Sequence, residues 1–319
     1  MAEKNYFFRL SKYHDEIVKL VSSDAIKITP QERKNEVLGF LKEPLQDISI
    51  SRTNERAKNW GVPVPGDDSQ RMYVWFDALN IYQSGIGFGW DEKLYEKWWP
   101  ADVHVIGKDI TRFHAMYWPA FLLSAGLPPP KQLYIHGFIT SEGQKMSKTV
   151  GNVIDPFAFV EKYGVDAVRY YLLREIPSGK DGDISDSRFK EVYNADLANG
   201  LGNLISRVAK LCQGLTFTKS AKPELSAEYK KELEQFKFDT ILASIWSQVH
   251  QLDQYMNQEK PWEIKEDPKK LSKILQVAVD HLRQIGQELQ PFLPETAEKI
   301  IEQFGGETIS IQAGYFQRL

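Results

Sequence analysis

Val103-His104-Val105-Ile106 and Leu133-Tyr134-Ile135-His136 are the two segments that decide the fold of this 319-residue chain. Each is a short continuous apolar run of the kind found in buried strands. Between them, residues 113–123 carry apolar side chains at helical spacing. A strand, a crossover helix and a second strand predict a parallel sheet wrapped by helices.

The sequence before this unit has weaker patterns. Residues 1–45 mix polar helical stretches, at 16–20 and 36–41, with no chemistry that we can identify. Residues 48–52 alternate like a strand, and residues 63–68 are typical of a turn. Met72 to Phe76 is a third continuous apolar run, and it is predicted to be another buried strand.

The sequence after residue 150 becomes helical. Asp155-Pro156 combines an N-cap residue with proline at the first helical position, which predicts the start of a helix. From about residue 186 onward the pattern predicts a helical bundle. Two apolar stripes at helical spacing carry this prediction: Leu197, Leu201, Leu204, Ile205 and Val208, and then Ile274, Val277, Ala278, His281, Leu282 and Ile285.

Composition excludes several classes of protein. No apolar run approaches the ~18 residues of a membrane-spanning helix, and the first residues do not resemble a signal peptide, so we expect a cytoplasmic protein with no membrane partner. The single cysteine, Cys212, is expected to fill the core, because one cysteine cannot form an internal disulfide or a cysteine-rich zinc site. A net charge of −3 neither supports nor excludes an RNA partner.

The most restricted motif is Lys145-Met146-Ser147-Lys148-Thr149, which lies between Gly143 and Gly151. Taken alone, it could be a solvated turn with two surface lysines. It resembles the KMSKS loop of class I aminoacyl-tRNA synthetases, where two mobile cations are needed. The attack of an amino acid carboxylate on the α-phosphate of ATP builds charge on the departing pyrophosphate, and the resemblance assigns its stabilisation to Lys145 and Lys148.

Residues 73–82 resemble the segment that builds the side-chain pocket of methionyl-tRNA synthetases. The resemblance implies that Trp75, Ala78 and Tyr82 line this pocket, and that His114 orients the tyrosine. A thioether offers dispersion contacts to aromatic rings and one weak acceptor, so an aromatic pocket with one hydroxyl, that of Tyr82, suits methionine. Taken alone, Trp75 and Tyr82 fit equally well as core aromatics, and His114 as a satisfied core histidine.

A nucleotide site is expected where the strand around Val105 gives way to a helix. Crevices at the carboxyl ends of parallel strands bind nucleotides, and an acidic residue there can hold ribose hydroxyls, a role that Asp109 fits. Gly107 would let the ribose approach the backbone closely. The resemblance further implies that the backbone near Ile139 contacts adenine while Lys145 and Lys148 close over the phosphates.

An RNA site is expected in the bundle. Asn203 and Arg207 are four residues apart on one face of a predicted helix, and Trp262 follows Pro261 in another predicted helix. The resemblance implies that these three residues read the tRNA anticodon, with tryptophan stacking on a base while asparagine and arginine bond base edges. A surface polar pair and a core tryptophan are the alternative.

The resemblance covers nearly the whole chain and implies its domain organisation. The expected fold is α/β: the second half of a Rossmann-like class I parallel sheet, followed by an all-α anticodon-binding bundle. Residues 1–45 would end a connective insertion, residues 46–140 would form the second half of the catalytic nucleotide-binding domain, residues 141–185 would link the two with the KMSKT loop, and residues 186–319 would form the helical anticodon-binding domain.

The implied activity is that of a methionine–tRNA ligase. It would join methionine to ATP, with Mg²⁺ as part of the substrate complex, and transfer the methionyl group to tRNA(Met). The family's HIGH signature is missing, because none of the six histidines lies in a His-x-Gly-His array, and the family's zinc knuckle is absent too. We therefore expect activity only together with a missing N-terminal half, with a separate N-terminal synthetase fragment as the expected partner.

Other interpretations stay open at this point. A non-catalytic tRNA-binding or regulatory paralogue would keep the bundle without the chemistry. An isoleucine or valine enzyme fits the lysine loop but not the set of Trp75, Ala78 and Tyr82. Residues 314–319 resemble the natural end of the family without its appended dimerisation domain.

Overall fold

A computed structural model describes residues 4–147, 149, 151–219, 223–264, 266–312 and 314–319. The chain divides into two compact units, Met1–Gly137 and Phe138–Leu319. None of the helices in the described part of the chain combines the length and apolar character that a membrane-spanning segment requires.

The first unit contains short strands interspersed with short helices. Its strands are β1 (Phe7–Phe8), β2 (Lys27–Thr29), β3 (Ile48–Ser49), β4 (Ser51–Thr53), β5 (Pro63–Val64), β6 (Asp67–Met72), β7 (His104–Gly107) and β8 (Gln132–His136). Its α-helices are α1 (His14–Ser22), α2 (Gln31–Phe40), α3 (Asn54–Ala57), α4 (Val74–Ala78), α5 (Ile81–Ser84), α6 (Glu92–Trp98) and α7 (Trp118–Ser124).

A parallel sheet with strand order β2-β8-β7 organises the first unit. Ile106 lies opposite Ile135 and Gly107 opposite His136, so β7 and β8 end at the same edge. The chain crosses between them through a π-helical stretch, Phe113–Tyr117, that runs into α7. The predicted strand, helix and strand are thus confirmed, and the expected α/β class with them.

Strand β2 was not predicted from the sequence. It lies within residues 1–45, and its three residues, Lys27, Ile28 and Thr29, do not form an apolar run. Ile28 and Thr29 are nevertheless buried against β8, since Ile28 lies opposite Leu133. A strand this short carries too little hydrophobic pattern to be recognised without its partner.

The prediction of a buried strand at Met72 to Phe76 is wrong. Strand β6 ends at Met72, and the amide of Phe76 donates to the carbonyl of Tyr73 at 2.9 Å, which starts the helical turn of α4. Val74 points outward and is 63% exposed. Short apolar runs do not distinguish a strand from a helical turn, so the pattern alone could not decide this segment.

Two other expectations for the first unit hold. Residues 48–52 contribute β3 and β4, as their alternation predicts. The turn predicted at residues 63–68 is the tight connection between β5 and β6, where Gly66 adopts a left-handed backbone conformation with φ of +77°.

The second unit is largely helical. Its α-helices are α8 (Pro156–Tyr163), α9 (Val165–Glu175), α10 (Asp186–Val192), α11 (Asn203–Leu211), α12 (Ala227–Glu234), α13 (Phe238–Glu259), α14 (Pro268–Leu289) and α15 (Pro294–Phe304), and a π-helical stretch, Tyr193–Gly202, precedes α11. Its strands are β9 (Ile139–Ser141), β10 (Gln144–Lys145) and β11 (Gly182–Ile184), in the order β10-β9-β11. As predicted, α8 starts at Pro156, and Asp155 caps it by accepting from the amide of Phe157 at 2.9 Å.

The bundle buries the first predicted stripe completely, from Leu197 to Val208. The second stripe is only partly right, because Val277 and His281 lie on the exposed face of α14. Leu275 and Val279 take their places in the core, next to Ala278 and Leu282. The buried face of α14 is therefore rotated by part of a turn from the predicted one.

Candidate functional site

An aromatic cluster in the first unit brings together Trp75, Tyr82 and His114. Trp75, on α4, stacks on Phe113 with ring centroids 4.2 Å apart, and its ring lies 6.3 Å from that of His114. Tyr82, on α5, places its hydroxyl oxygen 2.8 Å from Nε2 of His114. Ala78 is exposed and lies three residues after Trp75 on α4, which puts it on the same side of that helix.

The hydrogen bonds of His114 determine which way the Tyr82 hydroxyl points. Nδ1 of His114 lies 3.0 Å from the carbonyl oxygen of Ile110, so Nδ1 must carry the proton because a carbonyl only accepts. Burial lowers the pKa of His114, which keeps the ring neutral near pH 7 and makes Nε2 an acceptor. Tyr82 therefore donates its proton to His114 and turns oxygen lone pairs towards its other neighbours.

His104, which the sequence marks only as part of a strand, lies beneath this cluster. It is 5% exposed on β7, and its ring packs 4.2 Å from that of Tyr82. Its Nε2 atom is buried and has no hydrogen-bond partner among the described residues. Burial, and secondarily the nearby His114, lower the pKa of His104 to about 4, so it acts as a neutral aromatic support.

The edge where β7 and β8 end carries Gly107 and Asp109. Asp109 is exposed on the 3₁₀ turn Lys108–Ile110 that directly follows β7. A Cβ atom at Gly107 would lie 2.9 Å from Oδ1 of Asp109 and 3.7 Å from the ring of His136. Glycine thus keeps the approach to this carboxylate open, at the sheet edge where doubly wound folds bind nucleotides.

The lysine motif extends from a hairpin in the second unit. Glu142 and Gly143 connect β9 to β10 with φ of +53° and +73°, and Oδ1 of Asp183 accepts from the Gly143 amide at 2.8 Å. Lys145 ends β10 and is exposed, with Nζ 5.9 Å from the ring centroid of Phe138. Ile139 begins β9 opposite Gly182. Lys148, the second expected cation, lies outside the described residues.

The bundle brings Arg207 and Trp262 together. Asn203 and Arg207 both lie on α11, as expected, and Cζ of Arg207 is 5.8 Å from the ring centroid of Trp262. Trp262 is 42% exposed and lies in the 3₁₀ helix Pro261–Glu263, which is a single turn between α13 and α14. The chain leaves α13 through Lys260, whose φ of +45° ends that helix before Pro261.

Neighbouring side chains fix Arg207 and leave Asn203 accessible. Nη2 of Arg207 lies 2.5 Å from Oδ1 of Asp253, and Nη1 donates to Oδ1 of Asn257 at 3.3 Å. Asn203 is exposed and lines a cleft of about 200 Å³ together with Ser206. A half-exposed indole next to a fixed guanidinium suits an unstacked base, and Asn203 lies about one helical turn before Arg207 on α11.

Within the described ranges, no group of three or more His, Cys, Asp or Glu side chains could hold a metal ion. Cys212 is buried, and burial raises the pKa of its thiol to about 12, which makes it unreactive near neutral pH.

Comparisons with known proteins agree with both units. Residues 1–209 match the family model described as tRNA synthetases class I (M), and residues 222–318 match the anticodon-binding domain of tRNA ligase. A methionine–tRNA ligase from Brucella suis biovar 1 (strain 1330) is 44% identical over 320 residues, which covers 95% of this chain and 61% of that protein. The relative from Rhizobium meliloti (strain 1021) is also 44% identical, over 319 residues and the same shares.

Solved structures point the same way. Mycobacterium tuberculosis methionyl-tRNA synthetase in complex with methionyl-adenylate matches with a TM-score of 0.87 and 35% identity, covering 99% of this chain and 69% of that chain. This chain spans about 61% of the length of the curated relatives named above. It belongs to the methionyl-tRNA synthetase family of the class I tRNA synthetases.

Proposed function

We propose that this chain forms part of a methionine–tRNA ligase, which joins methionine to ATP as methionyl-adenylate and then transfers the methionyl group to tRNA(Met). The observation that carries the proposal is the cluster of Trp75, Tyr82 and His114 in a chain whose relatives bear that name. The test is methionine-dependent exchange of pyrophosphate into ATP, assayed with the chain alone and with the part of the Brucella suis relative that lies outside the match.

The aromatic cluster would hold the methionine side chain. The faces and edges of Trp75 and Tyr82 offer dispersion contacts to a polarizable thioether, and Ala78 leaves room beside them. Because the proton of Tyr82 is directed to His114, a donor role towards sulphur would require this hydrogen bond to be exchanged when methionine binds. His114 acts here as the residue that orients the tyrosine.

Gly107, Asp109, Ile139, Lys145 and Lys148 would bind ATP, with Mg²⁺ entering as part of the substrate complex. Asp109 is exposed and able to accept from ribose hydroxyls, and Gly107 lets a ribose come close. The lysines would stabilise the pyrophosphate as its charge develops.

We also propose the domain assignment that the resemblance implies. Residues 1–45 would end a connective insertion, residues 46–140 would form the second catalytic half, residues 141–185 would carry the lysine loop, and residues 186–319 would bind the anticodon. Strand β2 brings residues 27–29 into the same sheet as β7 and β8, so the first of these segments also takes part in the sheet.

We propose that catalysis needs a second polypeptide segment that carries a His-x-Gly-His array, since this sequence contains none. A non-catalytic tRNA-binding protein is the second candidate, and that same sequence feature favours it. Exchange that appears only when the complementing fragment is added supports the ligase. No exchange in either condition, with retained tRNA binding, supports the second candidate.

Replacement of Tyr82 by phenylalanine is expected to weaken methionine binding about fivefold. The change removes the hydroxyl that would bond the thioether once its bond to His114 is exchanged, an interaction worth about 1 kcal/mol, and it leaves the buried Nε2 of His114 without its donor. Isothermal titration of the complemented assembly with methionine measures the effect. Tyr6→Phe, which removes an exposed hydroxyl bonded to Asp67, is the matched control. Equal affinity of Tyr82→Phe and wild type would exclude this hydroxyl from the pocket.

Replacement of Trp262 by alanine is expected to weaken binding of tRNA(Met) by about 1 to 3 kcal/mol, the range for one lost base-aromatic stack. Trp262 is partly exposed and lies beside Arg207, so its loss also removes the surface against which the guanidinium packs. Filter binding at one fixed salt concentration measures the affinity.

The control for this experiment is Trp60→Ala, which removes a tryptophan that is 85% exposed in the first unit. The loss at Trp262 should shrink when the tRNA carries a changed anticodon, because the base-edge contacts that bring the base onto the indole are then impaired. If Trp262→Ala and Trp60→Ala bind the cognate tRNA equally well, the anticodon assignment is wrong.

A further inference from the structure

Asn152 bridges the two sides of the lysine loop. Its Oδ1 accepts from the amide of Ser147 at 2.9 Å, and its Nδ2 donates to the carbonyl of Lys145 at 3.2 Å. The amide of Gly151 adds a backbone hydrogen bond to the carbonyl of Ser147 at 3.0 Å. One side chain therefore holds a backbone donor and a backbone acceptor on either side of Met146.

Asn152 makes these two hydrogen bonds at the point where the strand pairing of the hairpin ends. The pairing of β10 with β9 ends at Lys145, opposite Thr140. Lys145 and Thr149 are exposed, and Met146 and Ser147 are only half-buried, so none of these four described residues is held in a core. A segment with few buried contacts takes its shape from its hydrogen bonds. Here the two hydrogen bonds to the backbone of Lys145 and Ser147 are both made by the side-chain amide of Asn152.

The other end of the hairpin has its own anchor. Asp183, on β11, accepts from the amide of Gly143 and from the hydroxyl of Thr140. These two hydrogen bonds fix the turn that precedes β10, and neither of them involves Lys145 or Ser147. The hairpin is thus held by Asp183, and the lysine loop that leaves it is held by Asn152.

We propose that Asn152 is the positioning residue of the lysine loop, fixing the direction in which the backbone of Lys145 and Ser147 leaves the hairpin. The effect of Asn152 on catalysis rests on the proposed function. In that function, the lysine side chains of the loop lower the reaction barrier only if they are held in place. Asparagine suits the position because its side chain combines a donor with an acceptor, whereas aspartate only accepts.

Limited proteolysis with trypsin tests the proposal on the chain as it exists. Trypsin cleaves after lysine, so the loop carries its own cleavage sites, and at low protease the rate follows the population of the open loop. Asn152→Ala removes both hydrogen bonds and should be cut after Lys145 about tenfold faster than wild type. Asn152→Asp keeps the acceptor for Ser147 and should lie between the two.

Two controls separate local from general effects. Asn35→Ala changes an exposed asparagine that accepts from Gln31 in α2, and it should leave cleavage after Lys145 unchanged. Cleavage after Lys230, on α12, serves as the internal reference within the second unit. An unchanged rate of cleavage after Lys145 in Asn152→Ala overturns the proposal. An equal increase in cleavage after Lys230 also overturns it, because the whole unit would then be destabilised.

A second readout addresses catalysis. In the complemented assembly, Asn152→Ala should lower kcat for pyrophosphate exchange about tenfold and leave the KM for methionine nearly unchanged, because no pocket residue is altered. An unchanged kcat overturns the positioning role. If wild type shows no exchange at all, the proposed function fails, while the proteolysis result still decides whether Asn152 holds the loop.

Discussion

Replacement of Lys145 or Lys148 by alanine is expected to slow methionine-dependent pyrophosphate exchange by about 10²- to 10³-fold in the complemented assembly, the range for losing one group that stabilises developing charge. Charge grows on pyrophosphate as the α-phosphate is attacked, so a cation placed there favours the transition state over the ground state. Lys145 is exposed at the end of a two-residue strand, where its side chain is available to a phosphate.

The kinetic pattern distinguishes this role from simple binding. We expect kcat to fall while the KM for methionine stays within about twofold, because Trp75 and Tyr82 are unchanged. Lys299→Ala, which removes an exposed lysine from α15, controls for the loss of one positive charge. An unchanged kcat with a raised KM for methionine in Lys145→Ala and Lys148→Ala would show that the lysines do not act on pyrophosphate.

The sequence predicts best where a segment has a strong local pattern. Strands β7 and β8 are continuous apolar runs that end at the same edge, so the sheet and the position of Gly107 followed from the sequence. The stripe of Leu197, Leu201, Leu204, Ile205 and Val208 is buried because its members recur every three or four residues and so share one face, although Leu197 and Leu201 lie in the π-helical stretch. Asp155-Pro156 marked a helix start through cap chemistry alone.

The sequence fails where long-range packing decides. Met72 to Phe76 has the composition of a strand, but β6 ends at Met72 and the chain turns into α4. Strand β2 depends on its partner β8, and no local pattern marks it. Only the resemblance predicts that Arg207 and Trp262 lie close together, because no spacing rule connects residues on different elements of a bundle.

Supporting residues of the candidate site were harder to predict than the residues they support. The resemblance pairs Tyr82 with His114, and the hydroxyl oxygen of Tyr82 is 2.8 Å from Nε2 of His114. The sequence indicates only a strand around His104, since a single histidine in an apolar run does not reveal which side chain packs on it. Asn152 follows the lysine loop without a signature of its own, and its role depends on two hydrogen bonds that only the folded backbone creates.

The free energy of unfolding of the first unit is expected to fall by about 2 kcal/mol between pH 7.5 and pH 5.0 because of His104 alone. Its folded pKa of about 4 lies below the usual 6.5, so the unfolded chain takes up the proton first, and stability is lost as the pH falls from about 6.5 towards 4. His114, whose pKa is also lowered by burial, acts in the same direction.

Urea unfolding followed by tryptophan fluorescence measures this loss of stability, since six of the eight tryptophans lie in the first unit. His104→Phe keeps an aromatic ring against Tyr82 and should show a smaller drop, whereas His281→Gln, at an exposed position, should behave as wild type. Equal drops in wild type and His104→Phe would mean that His104 is not buried as a neutral ring beneath the pocket.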